Sequence, residues 1–131
     1  MIPAGYSSTP LGKKLGLKPG SKLRAINAPE NFSGWLEDAP LLADRGEIAD
    51  VVVLFLTERD KLLDAVESQT PLLAERGGLW IAWPKKASKV PTDITEDVLR
   101  DVILPLGLVD NKVCAISDVW SGLRFVRRLR K

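Results

Sequence analysis

Three short apolar runs, each ending abruptly in polar or basic residues, constrain the fold of this chain more than any other feature. They are residues 22–26 before Asn27, residues 51–56 before Thr57, and residues 79–83 before Pro84 and two lysines. The middle run is apolar at every position, which is typical of a parallel strand covered on both faces. Sequence of helical character separates the runs. The pattern therefore predicts a mostly parallel sheet, whose ligand crevice would lie at the carboxyl ends of its strands.

We accordingly predict an α/β fold: a three-layer sandwich with a Rossmann-like sheet of three parallel strands and helices on both faces. Two further strands, residues 108–116 and 123–128, are expected to form a C-terminal hairpin, since the segment between them is too short for a parallel crossover. With 131 residues, the chain is expected to form a single α/β domain, residues 1–131. Residues 1–20 would form an N-terminal arm and a short helix that packs on it.

The first two predicted helices lie near the N-terminus. A short helix is expected to be capped by Ser8 or Thr9 and to stop at Gly16, because glycine favours the left-handed conformation that ends helices. A weaker helix is expected from Glu30 to Ala43, ended or kinked by Pro40.

The later helices carry clearer start signals. Thr57 with Asp60 resembles a capping box before a run of apolar residues at helical spacing, and Asp93 with Glu96 forms a second such pattern. Trp80 and Trp83 lie three residues apart in the third apolar run, so in a strand they would face opposite sides of the sheet.

Composition removes several classes of chemistry. The chain has no histidine and one cysteine, Cys114, which excludes Ser-His-Asp and Cys-His catalysis and cysteine-rich metal sites. Acid–base chemistry would have to fall to Asp, Glu, Lys or the single Tyr6, and no catalytic residue stands out among them. We expect no metal and no cofactor, and interpret Cys114 as an inert buried residue. No apolar run approaches the roughly 20 residues of a membrane span, and the N-terminus lacks a signal-peptide pattern. We expect a cytoplasmic protein that does not bind membranes.

Charge is strongly segregated along the chain. Residues 1–29 contain five basic residues and no acid, whereas residues 30–67 contain ten acids and three bases. One interpretation is that these blocks are solvated faces; the other is that a basic patch attracts phosphate groups or acidic partners. The basic C-terminal residues 127–131 lack interleaved aromatic residues and a known module, so nucleic-acid binding is not expected.

The best candidate site is the basic loop, residues 85–92, which follows the third apolar run. At the carboxyl edge of a parallel sheet, Lys85, Lys86 and Lys89 together with Ser88 would suit a phosphate or carboxylate group. The Asp93 helix start would add backbone amides, although the carboxylate of Asp93 would itself occupy them. The alternative is a solvated loop whose lysines only favour solubility.

Further candidate ligand-binding residues come from other segments. Asn27 and Glu30 follow the first strand, where a ligand would meet them, although Asn27 could instead cap a helix. Asn111, Lys112 and Trp120 would complete a pocket if the hairpin folded back over the sheet end. Their alternative role is turn chemistry and packing.

Part of the chain resembles the framework of class I S-adenosylmethionine-dependent methyltransferases, in residues 16–20 (GLKPG), 72–80 (LLAERGGLW) and the following helix and hairpin. In that family the first strand leads into a Gly-rich loop that holds the cofactor. The matching residues 27–31 (NAPEN) contain no glycine, and the first one is Gly34. The cofactor signature is therefore absent.

Nearly the whole chain resembles a family of small bacterial proteins described only as a domain of unknown function. The segments that carry the resemblance are residues 4–11 (AGYSSTPL), 28–30 (APE), 52–55 (VVLF), 83–88 (WPKKAS), 91–96 (PTDITE) and 108–115 (LVDNKVCA). This resemblance implies a bacterial cytoplasmic protein and carries over no catalytic assignment.

The leading functional hypothesis is a non-catalytic or regulatory module that binds a small anionic or nucleotide-like ligand at the carboxyl edge of the sheet. The first alternative is a divergent methyltransferase-like enzyme. The second is a protein–protein interaction module, with a homodimer formed through an exposed edge of the hairpin.

Overall fold

The computed structural model describes residues 10–36 and 40–128. Ser8 and Thr9, the expected helix caps, lie outside the described residues. The described helices are α1 (Leu11–Leu15), α2 (Leu62–Gln69) and α3 (Glu96–Ile103). The strands are β1 (Lys22–Ile26), β2 (Leu41–Leu42), β3 (Ala49–Phe55), β4 (Leu73–Pro84), β5 (Leu108–Ala115) and β6 (Trp120–Arg127). Short 3-10 turns are formed by Phe32–Trp35, Arg59–Lys61, Thr70–Leu72, Lys86–Ser88 and Leu104–Leu106.

The strands form one sheet in the order β2-β1-β3-β4-β6-β5. The first four are parallel, and β6 pairs antiparallel with both β4 and β5. This confirms the predicted α/β class, with its mostly parallel sheet and C-terminal hairpin. The parallel group has one strand more than predicted, the two-residue β2.

Residues 30–43 are the main error of the secondary-structure prediction. Where they are described, they form the 3-10 turn Phe32–Trp35 and strand β2 instead of a helix. Gly34 and Pro40 explain the difference, because a flexible glycine and a missing N–H leave too few consecutive residues to propagate an α-helix.

Two apolar layers cover the sheet. On one face, α2 and α3 pack over a cluster that includes Val52, Leu54 and Trp83. On the other, α1 and the Phe32–Trp35 turn pack over a cluster that includes Val53 and Trp80. Side chains alternate across a strand, so β3 needs apolar residues at successive positions. The prediction that Trp80 and Trp83 face opposite sides is confirmed.

Helix ends agree only partly with the predicted caps. Gly16 ends α1 with a φ of 92°, as expected. The capping box at Thr57 and Asp60 is wrong, because α2 begins at Leu62 after a 3-10 turn and has no side-chain cap. The cap of α3 is Thr95, whose Oγ1 accepts from the Val98 N–H at 3.2 Å. No described helix is long and apolar enough to cross a membrane.

Candidate functional site

The parallel strands end together at one edge of the sheet, which we call the carboxyl edge. Ile26 of β1 pairs with Leu54 of β3, and Phe55 pairs with Ala82 of β4. The chain leaves β1 toward β2 on one side and returns to β3 on the other, so the strand order reverses between β1 and β3. Ligands of open α/β sheets bind outside the carboxyl ends at such a reversal. The topology therefore supports the edge chosen from the sequence.

The tip of β1 places two predicted residues in solvent. Asn27 and Glu30 are both exposed, and Asn27 has a φ of 59°. Asparagine tolerates this left-handed conformation better than most residues. The Phe32 N–H then donates to the Pro29 carbonyl at 3.0 Å, which begins the 3-10 turn. Asn31 precedes this turn without a side-chain capping bond.

Aromatic rings pack together at the tip of β3 on the α1 face of the sheet. Phe32 is 5% exposed, and its ring meets Phe55 edge-on at a centroid distance of 5.1 Å and Trp35 at 5.7 Å. Trp120 contacts Phe55 in the same geometry at 5.1 Å. On this face the reversal point is thus an apolar cluster. The sequence does not predict that Phe32 packs in this cluster, because its pattern predicts a helix for residues 30–43.

The basic loop begins where β4 meets the β5–β6 hairpin. Its first residue, Lys85, donates its backbone N–H to the Val119 carbonyl at 2.7 Å. The hydroxyl of Ser88 donates to the Lys85 carbonyl at 2.6 Å and accepts from the Val90 N–H at 3.3 Å. The proton of Ser88 is therefore committed to the loop's own turn, and Ser88 offers a ligand no hydroxyl donor.

Hydrogen bonds to the tip of β3 fix the end of the basic loop. Thr92 Oγ1 donates to the Thr57 carbonyl at 2.7 Å and accepts from the Ile94 N–H at 3.1 Å. The carboxylate of Asp93 accepts from the Arg59 N–H at 2.7 Å. Asp93 was expected to occupy the α3 amides, and it anchors the segment after β3 instead. A threonine hydroxyl that accepts from the N–H two residues later is a common turn pattern, so Thr92 and Ile94 are the sequence signal for the turn at the end of the basic loop.

The amino end of α3 adds no anion site. Thr95 caps it, and two acidic residues, Glu96 and Asp97, occupy its first turn. Negative side chains already complement the positive end of the helix dipole there. The expected contribution of backbone amides at this helix is therefore wrong.

The lysines of the basic loop form no ion pair with a described carboxylate. Within residues 10–36 and 40–128, no carboxylate forms an ion pair with Lys85, Lys86 or Lys89. Lys86 and Lys89 are exposed and Lys85 is half-buried. Lys89 has a φ of 63°, which is uncommon for a residue with a long side chain.

The hairpin contributes only one of its three predicted residues to this edge. Trp120 pairs with Pro84 at the end of β4, next to the basic loop. Lys112 pairs with Arg124, which in turn pairs with Trp80. Four residues along β4 separate Trp80 from Pro84, or about 13 Å at the usual rise of a strand. Asn111 and Lys112 are therefore not brought together with the carboxyl edge.

Two other features of the surface are a cavity and the outer edge of the hairpin. A cavity of about 880 Å³ lies at the opposite, amino edge of the sheet, between α1, the turn before β1 and Leu41. No group of acidic or cysteine side chains suited to a metal occurs among the described residues.

The homodimer through the hairpin edge stays a prediction. A bulge and the exposed Lys112 on the outer strand β5 are features that oppose edge pairing.

Solved structures of similar fold include a protein assigned as a type 11 methyltransferase from Sulfolobus solfataricus, with a TM-score of 0.62 and 14% identity, covering 92% of this chain and 91% of that one. The fibrillarin pre-rRNA processing protein of Methanococcus jannaschii matches with a TM-score of 0.54 and 14% identity, over 94% and 70% of the two chains. The ribosomal protein L11 methylase of Lactobacillus delbrueckii subsp. bulgaricus matches with a TM-score of 0.51 and 12% identity, covering 84% of this chain and 59% of that one. At these identities the likeness is one of fold, and it confirms the methyltransferase-like framework.

No curated protein is significantly similar to the chain in sequence. The model of the family described as a protein of unknown function (DUF3052) matches residues 30–129. This match spans most of the chain, in agreement with the resemblance seen in the sequence, and the chain belongs to the DUF3052 family.

Proposed function

We propose that this protein is a non-catalytic binding module, which holds the phosphate or carboxylate group of a small ligand on the basic loop. The observation that carries the proposal is the set of three ammonium groups, at Lys85, Lys86 and Lys89, that no described carboxylate neutralises. They lie within five consecutive positions, residues 85–89, of one loop at the carboxyl edge.

The anchoring of the loop supports binding. At one end, the Lys85 N–H donates to the carbonyl of Val119, in the turn before β6. At the other end, the Thr92 hydroxyl donates to the carbonyl of Thr57, just after β3. A segment whose backbone is held at both ends loses less backbone conformational entropy when a ligand orders it. Lys89 lies between these anchors in its left-handed conformation. Such backbone outliers persist where the surroundings hold them, often at ligand-binding positions.

Electrostatics favours an anion over other ligands. Like charges within one short loop repel each other, and a bound anion replaces this repulsion with charge-assisted hydrogen bonds. Lysine ammonium groups act as point charges with three donors each. The loop therefore suits an oxyanion and selects little among phosphate, sulfate and carboxylate.

Asn27 and Glu30 belong to the proposed site only if the ligand is extended. The tips of β1 and β4 are separated by β3, and two strand spacings amount to about 10 Å. A nucleoside phosphate can span this distance, with its phosphate on the basic loop. Trp120 lies at the same edge, and no described residue accepts a hydrogen bond from its indole N–H.

A methyltransferase-like enzyme is the second candidate, and the similarity of fold favours it. The residues at the reversal point do not fit S-adenosylmethionine. The loop after β1 has no glycine before Gly34, so the backbone lacks the close approach that such loops provide. The ring of Phe32 fills the crevice against Phe55. A cofactor at this position would have to displace a buried aromatic side chain.

Thermal unfolding with inorganic phosphate, pyrophosphate and nucleoside monophosphates at low ionic strength tests the proposal. A ligand at 100 times its dissociation constant stabilises the folded state by about 2.7 kcal/mol, so we expect a clear rise in the melting temperature. The double variant Lys85→Ala, Lys86→Ala should lose the part of this rise that the basic loop contributes. The matched control Lys13→Ala, Lys18→Ala, which removes equal charge from the α1 region, should keep it.

Two outcomes would reject the proposal. One is the absence of stabilisation of the parent protein by any of the three phosphate compounds. The other is equal loss of stabilisation in both double variants, which would show that only net charge matters. Calorimetric titration with S-adenosylmethionine addresses the enzyme hypothesis: we expect no heat of binding, and micromolar affinity would reverse the ranking.

A further inference from the structure

Arg124 differs from the other buried or half-buried arginines among the described residues. Arg24 donates to the carbonyls of Asp44 and Glu47, and Arg127 donates to three backbone carbonyls at 2.7 to 3.0 Å. Arg100 binds the carboxylates of Glu96 and Asp110. The guanidinium of Arg124 has a single described partner, the side-chain oxygen of Asn111 at 3.3 Å. Its Nε and one terminal nitrogen have no described acceptor.

A glycine makes room for this guanidinium on the sheet. A Cβ added to Gly78 would lie 2.4 Å from Nε of Arg124 and 2.9 Å from its Cζ. The absence of a side chain at position 78 therefore lets the guanidinium lie directly over β4. Burial lowers the pKa of Arg124 from its ordinary value, because desolvation disfavours the charged guanidinium.

A bulge in β5 brings two more donors to the same place. The pairing with β6 shifts between Asp110 and Lys112, so Asn111 and Lys112 both lie opposite Arg124. Bulges commonly re-aim side chains in this way. Lys112 and Arg124 are direct cross-strand partners, and like charges in that arrangement are destabilising unless something offsets them.

The C-terminal end of α1 borders the cluster. Lys112 Nζ donates to the Lys14 carbonyl at 2.9 Å, which leaves two of its three protons without an acceptor among the described residues. Burial raises the pKa of the Cys114 thiol, while the charges of Lys14 and Lys112 act on it in the opposite direction. Both ammonium groups are thus close to the same stretch of β5.

We propose that Arg124, Lys112 and Asn111 form a second oxyanion site, on the α1 face of the sheet, for the phosphate group of a small phosphorylated ligand. Its donors are the free edge of a guanidinium, an ammonium group and the amide NH₂ of Asn111, whose oxygen already accepts from Arg124. Three phosphate oxygens and up to two negative charges match this set better than one carboxylate does. The site lies about 13 Å from the carboxyl edge along β4 and does not depend on the proposed function.

The test is a titration of the full chain with inorganic phosphate, adenosine monophosphate and adenosine at low salt, followed by calorimetry and by the NMR signals of arginine Nε–H groups. We expect the Arg124 signal to shift with both phosphates and not with adenosine. Affinity should fall about tenfold or more in Arg124→Gln and by less in Lys112→Gln, given the strength of hydrogen bonds to charged groups. Gly78→Ala should weaken binding without a change of charge.

The controls separate this site from the basic loop and from bulk charge. Arg45→Gln removes an equal charge from an exposed loop, and this variant and the Lys85→Ala, Lys86→Ala variant should leave the Arg124 shift unchanged. The proposal is overturned if phosphate does not shift the Arg124 signal, or if Arg45→Gln weakens binding as much as Arg124→Gln. If Arg124→Gln does not fold, the exposed Lys112→Gln variant and the parent titration decide the question.

Discussion

Removal of the Phe32 side chain tests whether the reversal point is an apolar cluster. Phe32 is 5% exposed and makes two edge-to-face ring contacts, with Phe55 at 5.1 Å and with Trp35 at 5.7 Å. Phe32→Ala removes both ring pairs and leaves a cavity at the tips of β1 and β3. The protein should lose stability because the transfer and cavity contributions add.

The expected size of the loss follows from burial and location. Buried Phe→Ala substitutions cost about 3–5 kcal/mol. Phe32 lies on a short 3-10 turn of four residues, which can relax into part of the cavity, so we expect about 3 kcal/mol, the lower end of that range. Phe32→Leu keeps most of the volume and loses the ring pairs, for an expected cost of about 1–2 kcal/mol.

Urea unfolding followed by tryptophan fluorescence measures these differences, since Trp35 contacts the Phe32 ring directly. A chain of this length is expected to unfold in two states. The matched control is Ser33→Ala, an exposed position on the same turn, which should change stability by less than about 0.5 kcal/mol. A cost below about 1 kcal/mol for Phe32→Ala would show that the crevice is not filled as described.

Three further perturbations probe contacts at the two edges of the sheet. Thr95→Ala should cost about 1 kcal/mol by loss of the α3 cap, whereas Thr95→Ser should be nearly neutral; equal melting temperatures of all three proteins would contradict the capping role. Thr92→Val removes the bond to the Thr57 carbonyl and should cost about 1 kcal/mol while speeding amide exchange in residues 85–92; unchanged exchange would mean that the loop is held otherwise. The Lys22 hydrogen bond lowers the pKa of Glu47 from its ordinary 4.5, so its contribution to stability is present above that value and lost as pH falls through the folded-state pKa. Glu47→Gln should therefore flatten the acid limb of a stability–pH profile, and an unaltered limb would contradict the pairing.

The positions of the main strands, and which faces of them are buried, could be predicted because both depend on local sequence patterns. The unbroken apolar run of β3 required cover on both faces, and the spacing of Trp80 and Trp83 placed them on opposite sides. Both results follow from the two-residue period of a strand. The carboxyl edge could likewise be inferred, since parallel strands end together.

The contacts at the site depended on long-range geometry that a local pattern does not contain. Asp93 has the sequence signature of a helix cap, yet its carboxylate meets the Arg59 N–H, 34 residues away. The sequence predicts Asn111 and Lys112 near the carboxyl edge only if the hairpin folds back over the sheet end, and it does not contain the bulge and pairing register of β5 that place them elsewhere. The same register aligns Lys112 with Arg124.

The most direct test of the central claim is a backbone amide chemical-shift titration of the ¹⁵N-labelled chain with pyrophosphate at low ionic strength. Our account predicts saturable shifts in residues 85–92 and at Thr57, which disappear in the Lys85→Ala, Lys86→Ala variant. Shifts that never saturate, or that spread evenly over all surface lysines, would contradict the claim that the basic loop is a binding site.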